Sequence, residues 1–248
     1  MLIIILCVAL FLGHFVKGIT GFGSALVSIP ILSMVFPPTT AIAISLICDL
    51  CIGAYLSWTV RHQVVWSIVW VMLLGAVGGQ WCGLVLQKEL NPNVVRICMA
   101  VVITLFSLRI LLGSNPEAAR FHKWPYLAGI FSGYCAGIMG GLVGASGPPV
   151  VFFTTSYYDK VQGRSILLVF FFFSAITLIG GMVQQDLISS DVFSYAGVGV
   201  VVALLAARLG ARVMPHVSQV HFMRGVAALL LTSALSMVFV VVYGNGMI

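Results

Sequence analysis

The sequence predicts an all-α integral membrane protein of about eight helical segments in two inverted repeats, each opening with a glycine-broken helical hairpin. Three observations carry that reading. Of the 248 residues, 61% are hydrophobic and only 7% are charged, where a soluble domain carries about 25% charged residues. Apolar runs long enough to cross a bilayer, about 20 residues each, fill nearly the whole chain and leave no room for an aqueous domain of ordinary size. A glycine-proline pattern also occurs twice at a constant spacing.

Apolar runs bounded by Pro, Gly, Asn and charges place segments near 2–35, 38–60, 64–86, 91–112, 124–156, 162–184, 192–213 and 220–243. The opening residues MLIIILCVALFLGHFV have no basic start and no clear small-x-small cleavage site, so they read as mature protein. Six of the segments are ordinary single spans. The other two, 2–35 and 124–156, are too long for one crossing and are interrupted by glycine clusters that a straight helix tolerates poorly.

Those two segments resemble each other. Setting KGITGFGSALVSIPIL (17–32) against AGIMGGLVGASGPPVV (136–151) at an offset of 119 pairs Gly18 with Gly137, Ile19 with Ile138, Gly21 with Gly140 and Pro30 with Pro149. Each is followed by three further spans, so the chain divides into a first transmembrane repeat over 1–113, a connecting loop over 114–123 and a second repeat over 124–248.

Orientation follows from Lys and Arg. With the N-terminus inside and every segment crossing once, inside loops hold Arg61, Arg120 and Lys123, and outside loops hold Lys88, Arg96, Lys160, Arg164, Arg208, Arg212 and Arg224. Three against seven violates the positive-inside rule. If 124–156 enters, turns at its glycines and leaves on the same side, the count becomes eight inside against two outside. Repeat symmetry asks for the same hairpin at 2–35, with both termini outside and an in-plane pseudo-two-fold axis, the plan of many secondary transporters.

Broken helices at membrane depth leave backbone N–H and C=O groups that survive only when buried in protein or lining a polar cavity. The two breaks therefore mark a midplane ligand site. Its candidate substrate-binding residues are Lys17, Gly18, Thr20, Gly21, Gly23 and Ser24 in the first repeat, and Gly140, Gly141, Gly144, Ala145, Ser146 and Gly147 in the second. Glycine admits close backbone approach, helix N-termini concentrate partial positive charge, and hydroxyls donate, which suits a small oxyanion. Pro30, Pro148 and Pro149 end the loops and start the return helices as structural hairpin residues. Glycines four apart, as in Gly75, Gly79 and Gly83 or Gly129, Gly133 and Gly137, also serve close helix packing, the preferred reading for the first of these ladders.

Lys17 is an intramembrane charge at the first break, to be read either as an anion contact or as a snorkelling cation. Asp49, at the centre of 38–60, is a proton-coupling candidate or the partner of Lys17 or an Arg. His14 precedes the break by a turn and is a proton shuttle or a histidine satisfied by a carbonyl. Gln80 offers an interhelical hydrogen bond, while Arg109, Arg208 and Arg212 read as interfacial anchors. The cysteines, including the C-x-x-C pair Cys48 and Cys51, lie in apolar runs without exposed thiolate chemistry. No HExxH, GxSxG or lysine-bearing phosphate loop is present, so no catalytic residues, no metal and no cofactor are expected. The net charge of +6 is scattered between spans, which points to membrane orientation rather than nucleic-acid binding.

The glycine-proline hairpin KGITGFGSALVSIPIL (17–32), its weaker copy GIMGGLVGASGPPVV (137–151) and GAVGGQWCG (75–83) resemble the sulfite exporter TauE/SafE family, also called the toluene sulfonate uptake permease family. The resemblance covers essentially the whole chain. It implies a multi-pass bacterial inner (plasma) membrane carrier for small organosulfur or sulfur oxyanions such as sulfonates or sulfite, often working as an exporter, with the two hairpins as the substrate region. The second copy departs from the commoner glycine run at Ala145, Ser146 and Gly147, which leaves the particular anion open. The expected partners are a small anionic substrate, the lipid bilayer, protons if Asp49 relays them, and a second copy if the chain forms a homodimer. Alternatives to alternating access are an anion channel and a non-transporting membrane scaffold subunit.

Overall fold

A computed structural model describes residues 2–112, 124–189 and 191–213, together with positions 227, 228, 231, 234, 235 and 238. The connecting loop 114–123, with Arg120 and Lys123, lies outside the described residues, as do Arg224 and most of the segment 220–243. The described chain runs α1 (Leu2–Thr20), α2 (Ser24–Leu32), α3 (Pro38–Val60), a single 3₁₀ turn (Arg61–Gln63), α4 (Trp66–Glu89), α5 (Pro92–Leu111), α6 (Pro125–Val143), α7 (Gly147–Tyr157), α8 (Lys160–Gln184) and α9 (Asp191–Val213). Among the described residues, seven helices are long and apolar enough to cross a membrane. The two that are not, α2 and α7, are the return arms of the two hairpins.

Helix starts follow local chemistry. Proline opens α3, α5 and α6, where its missing N–H would be unpaired anyway. The Asn91 side chain accepts from the Asn93 N–H at 2.9 Å to cap α5, and Asp159 accepts from Val161 and Gln162 at 3.0 and 2.8 Å to cap α8. Between α1 and α2 the chain breaks at Gly21 (φ 84°) and Gly23 (φ 90°), and between α6 and α7 at Gly144 (φ 74°). These left-handed conformations are the ones glycine adopts without steric cost.

Helix directions establish the inverted plan. Helices α1 and α9 run parallel, because Leu10 meets Gly199 and Gly18 meets Ala207. Helices α4 and α6 are likewise parallel, Gly75 lying on Ile130, Gly79 on Tyr134 and Gly83 on Ile138. Helices α3 and α8 are antiparallel: Gly53 packs on Phe172, Ser57 donates to the Leu168 carbonyl at 3.2 Å, and Ser165 donates to Gln63 at 3.3 Å. The end of α3 and the start of α8 therefore share one face. Since α9 returns from α8 through a short loop, α1 points along α3, whereas α6 points along α4 and so the opposite way. The opening helices of the two repeats enter from opposite sides, and each packs against the matching later helix of the other repeat.

The interfaces use small residues, as lipid gives helices no hydrophobic reason to associate and backbone approach must supply the contact. The faces turned away from the bundle carry large apolar side chains such as Trp58, Leu74, Leu105, Phe131 and Val201, as a lipid-facing surface requires.

Candidate functional site

The two breaks frame one pocket. It is lined by Lys17 from α1, Phe22 to Leu26 from the first break and α2, Leu46 and Asp49 from α3, Gly144 to Gly147 from the second break, and Phe171, Ser174, Ala175 and Leu178 from α8. It encloses ≈ 490 Å³ of empty space, its open mouth included. Asp49 is the middle residue of α3 and Ser174 lies near the middle of α8, so the pocket sits halfway along both helices.

The hairpin tips pass this level. Gly21 lies against the Arg164 side chain, one turn into α8, and Gly144 lies against Ile42, one turn into α3. Each tip thus reaches toward the face opposite the one from which its hairpin enters, and the pocket lies between the tips.

Asp49 holds the polar centre. Its Oδ1 accepts from Lys17 Nζ at 2.7 Å and from the Ser24 hydroxyl at 2.7 Å. His14 Nε2 lies 3.2 Å from the same oxygen but out of line for a hydrogen bond, and among the described residues it has no hydrogen-bond partner. His14 Nδ1 makes a 2.8 Å hydrogen bond to the Leu10 carbonyl. All three ionisable side chains are buried: His14 is 0% exposed, Lys17 2% and Asp49 9%. Lys17 therefore does not snorkel to the surface; the ion pair keeps its charge inside the protein. It sits in the last turn of α1, where the helix dipole favours a cation. The helix bounds superpose the two hairpins at an offset of 123 rather than the 119 of the sequence match, because the helix break and not the proline sets the register. Gly137 and Gly140 then occupy the positions of His14 and Lys17 in the second repeat, so the triad belongs to one repeat only.

Helix ends supply donors. The first ladder bond of α2 is from Val27 N–H to the Gly23 carbonyl at 3.3 Å, which leaves the N–H groups of Ser24, Ala25 and Leu26 without intrahelical acceptors. All three residues line the pocket at the partially positive end of α2. The matching start of α7 is different, because Pro148 and Pro149 have no N–H. There Ser146, whose side chain makes no cap bond to its own helix, contributes a hydroxyl, and Ser132 ties the hairpin by donating to the Pro149 carbonyl at 3.0 Å.

Of the twelve candidate residues, Lys17, Gly23, Ser24, Gly144, Ala145, Ser146 and Gly147 line the pocket. The other five stand elsewhere. Gly18 packs on the backbone of α9 at Ala207, and Gly141 on α4 at Gln80 and Leu84. Gly21 is covered by Arg164, and Gly140 lies behind Ser146. The Thr20 hydroxyl stays within the turn, 2.9 Å from the Val16 carbonyl and 2.6 Å from that of Phe22. Pro148 and Pro149 do start the return helix α7, but Pro30 does not start α2: that helix begins at Ser24, directly after the left-handed Gly23, and Pro30 lies inside it.

Several participants carried no sequence signal of their own. The α8 lining lies in an apolar run in which helix facing cannot be read. Ser174 had a possible clue in Gln80, which donates to the Ser174 hydroxyl at 2.8 Å and carbonyl at 3.0 Å and accepts from Thr177 at 2.8 Å. Gln80 thereby fixes the α8 wall of the pocket to α4. Arg164, assigned above to a loop, lies beside the first tip with its Nε unpartnered among the described residues. Arg208 stacks over Tyr55 at 5.5 Å and Arg109 over Phe152 at 4.4 Å, both away from the pocket.

Comparison with known proteins matches residues 5–237 to the model of the sulfite exporter TauE/SafE family. No curated protein and no solved structure matches the chain.

Proposed function

We propose, from the fact that the chain belongs to the sulfite exporter TauE/SafE family, that this multi-pass membrane transporter is a secondary carrier exporting small organosulfur or sulfur oxyanions, such as sulfonates or sulfite. The observation that supports this most is the convergence of both hairpin breaks on one pocket, with the open N–H groups of α2 on one side and the Ser146 hydroxyl on the other. Donors without a competing acceptor at the start of a helix suit an oxyanion. Ser24 and Lys17, now held by Asp49, are further donors within reach of the same space.

A pocket built from both repeats fits alternating access. Rocking one repeat against the other would open it to each face in turn while the ligand stays between the tips. The bacterial inner membrane is the setting this reading implies.

The test is ligand-dependent stability. Purified protein in detergent is heated with sulfite, sulfate, isethionate or acetate, since a ligand that binds only the folded state raises the melting temperature by mass action. One sulfur oxyanion is expected to raise it selectively. Ser146→Ala should melt normally without ligand and need about tenfold more anion for the same shift, the loss of one charge-assisted hydrogen bond of ~1.5 kcal/mol. Normal stability with an unchanged shift would remove Ser146 from the site. Counterflow in proteoliposomes separates a carrier from a channel, because unlabelled anion on the far side accelerates uptake only through a carrier.

A further inference from the structure

The mutual geometry of His14, Asp49 and Lys17 carries an inference about coupling, and it rests on the anion reading above. A carbonyl oxygen only accepts, so the 2.8 Å contact to Leu10 makes His14 Nδ1 the donor. In a neutral ring Nε2 is then a bare lone pair. It lies 3.2 Å from a carboxylate oxygen that also only accepts, inside a site where His14 is wholly buried. Two lone pairs at that distance repel unless a proton lies between them.

The carboxylate oxygen is already occupied. Lys17 and Ser24 take Oδ1 at 2.7 Å each, which fills the two lone-pair sites of one carboxylate oxygen and explains why His14 is close but out of line. A protonated His14 and Lys17 thus compete for Asp49 Oδ1. Whichever of them is displaced is a cation, or a donor, at the edge of the pocket that Lys17 lines.

We propose that the His14–Asp49 pair is a proton-binding site that couples proton to anion: a proton taken up at His14 Nε2 replaces Lys17 Nζ at Asp49 Oδ1, and the freed ammonium turns to the anion. Charge balances at each stage. Without ligand, Lys17 neutralises Asp49. With ligand, the imidazolium neutralises Asp49 and Lys17 neutralises one charge of the anion. Proton and anion therefore bind together and cross together.

Among the described residues, the other titratable groups near the triad do not offer an alternative proton site of this kind. On α3 the neighbour is Cys48, a buried thiol. Helix α2 presents only the hydroxyls of Ser24 and Ser28, and Ser28 is bonded to the Ser24 carbonyl and to Ser45. Helix α9 meets α1 through Gly199, Ala207 and Gly210, and its Arg208 lies over Tyr55. The α8 wall is Phe171, Ser174, Ala175 and Leu178, and the second break adds only Gly144 to Gly147.

The experiment adds sodium isethionate or sodium sulfate, neither of which has a group that titrates near neutral pH, to the weakly buffered full-length protein in detergent. Proton uptake is followed with a pH indicator and anion binding by the melting shift. The expected result is one proton taken up per anion bound, with affinity rising as pH falls by up to about tenfold per pH unit. His14→Gln, which keeps the Lys17–Asp49 pair, should lose both the uptake and the pH dependence. If that variant does not fold, an infrared difference spectrum of the wild type on anion addition should show imidazolium bands appearing.

Binding without proton uptake, uptake retained in folded His14→Gln, or no imidazolium signal would overturn the coupling and leave the anion site standing. If no anion in the panel raises the melting temperature, the anion reading falls and the coupling falls with it.

Discussion

Lys17 and Asp49 are each expensive alone and tolerable together. An ion buried away from water costs several kcal/mol unless a partner and hydrogen bonds replace its hydration, and here Ser24 adds the hydrogen bond. Removing one partner strands the other. Lys17→Met and Asp49→Asn should each destabilise the protein by about 3–5 kcal/mol, while the double variant, which leaves no buried charge of the pair, should recover most of that loss. Thermal unfolding in detergent measures the cycle. Single and double variants that lose stability additively would mean the two residues do not hold each other. The charges were visible in the sequence, as was their pairing as one of two readings. The meeting of His14 and Ser24 with them was not, because it depends on α2 folding back along α1 so that Ser24 lies against Gly13.

Glycine means different things in different helices, and the structure separates the meanings. Gly75, Gly79 and Gly83 on α4 interlock with Gly133, Gly137 and Gly141 on α6, each where a Cβ would strike the opposing backbone. Gly78 stands among them in sequence but faces outward, with only the Tyr134 ring 3.9 Å from where its Cβ would be. Gly79→Ala should therefore cost about 1–3 kcal/mol by forcing the helices apart. Gly78→Ala should be neutral or stabilise by up to about 1 kcal/mol through helix propensity. Melting temperatures of the two variants test this, and equal effects would contradict the interlocked packing. The ladder was legible as spacing, and packing was its favoured reading. Gly137 and Gly141 belong to this ladder although they lie within the repeat motif, because a motif marks where the chain is small but not which side it turns to a neighbour.

At the scale of the molecule, the fold is two repeats entering from opposite faces and gripping each other through α1 with α9 and α4 with α6. By the positive-inside rule the charge bias predicts that the face carrying Arg61 and His62 is cytoplasmic. Single-cysteine labelling in intact cells, in a background without the native cysteines, should find Ser189→Cys reactive from outside and His62→Cys reactive only after permeabilisation. The reverse pattern would invert the topology, and both residues labelling from one side would break the inverted plan.

Composition and run length determined that this chain lives in a membrane, since 61% hydrophobic residues with so few charges cannot be covered by water. The glycines of the repeated motif determined where the helices break, because a left-handed backbone is a property of single residues. Only the tertiary structure decided what faces the pocket. The apolar run of α8 shows no preferred face until α3, α4 and the two hairpins pack around it, and Asp49 becomes the polar centre only when α1 and α2 bring two donors, Lys17 and Ser24, and the His14 ring to one of its oxygens. Facing in a bilayer is set by neighbours rather than by solvent, so the sequence pattern that marks the buried side of a soluble helix is largely missing here.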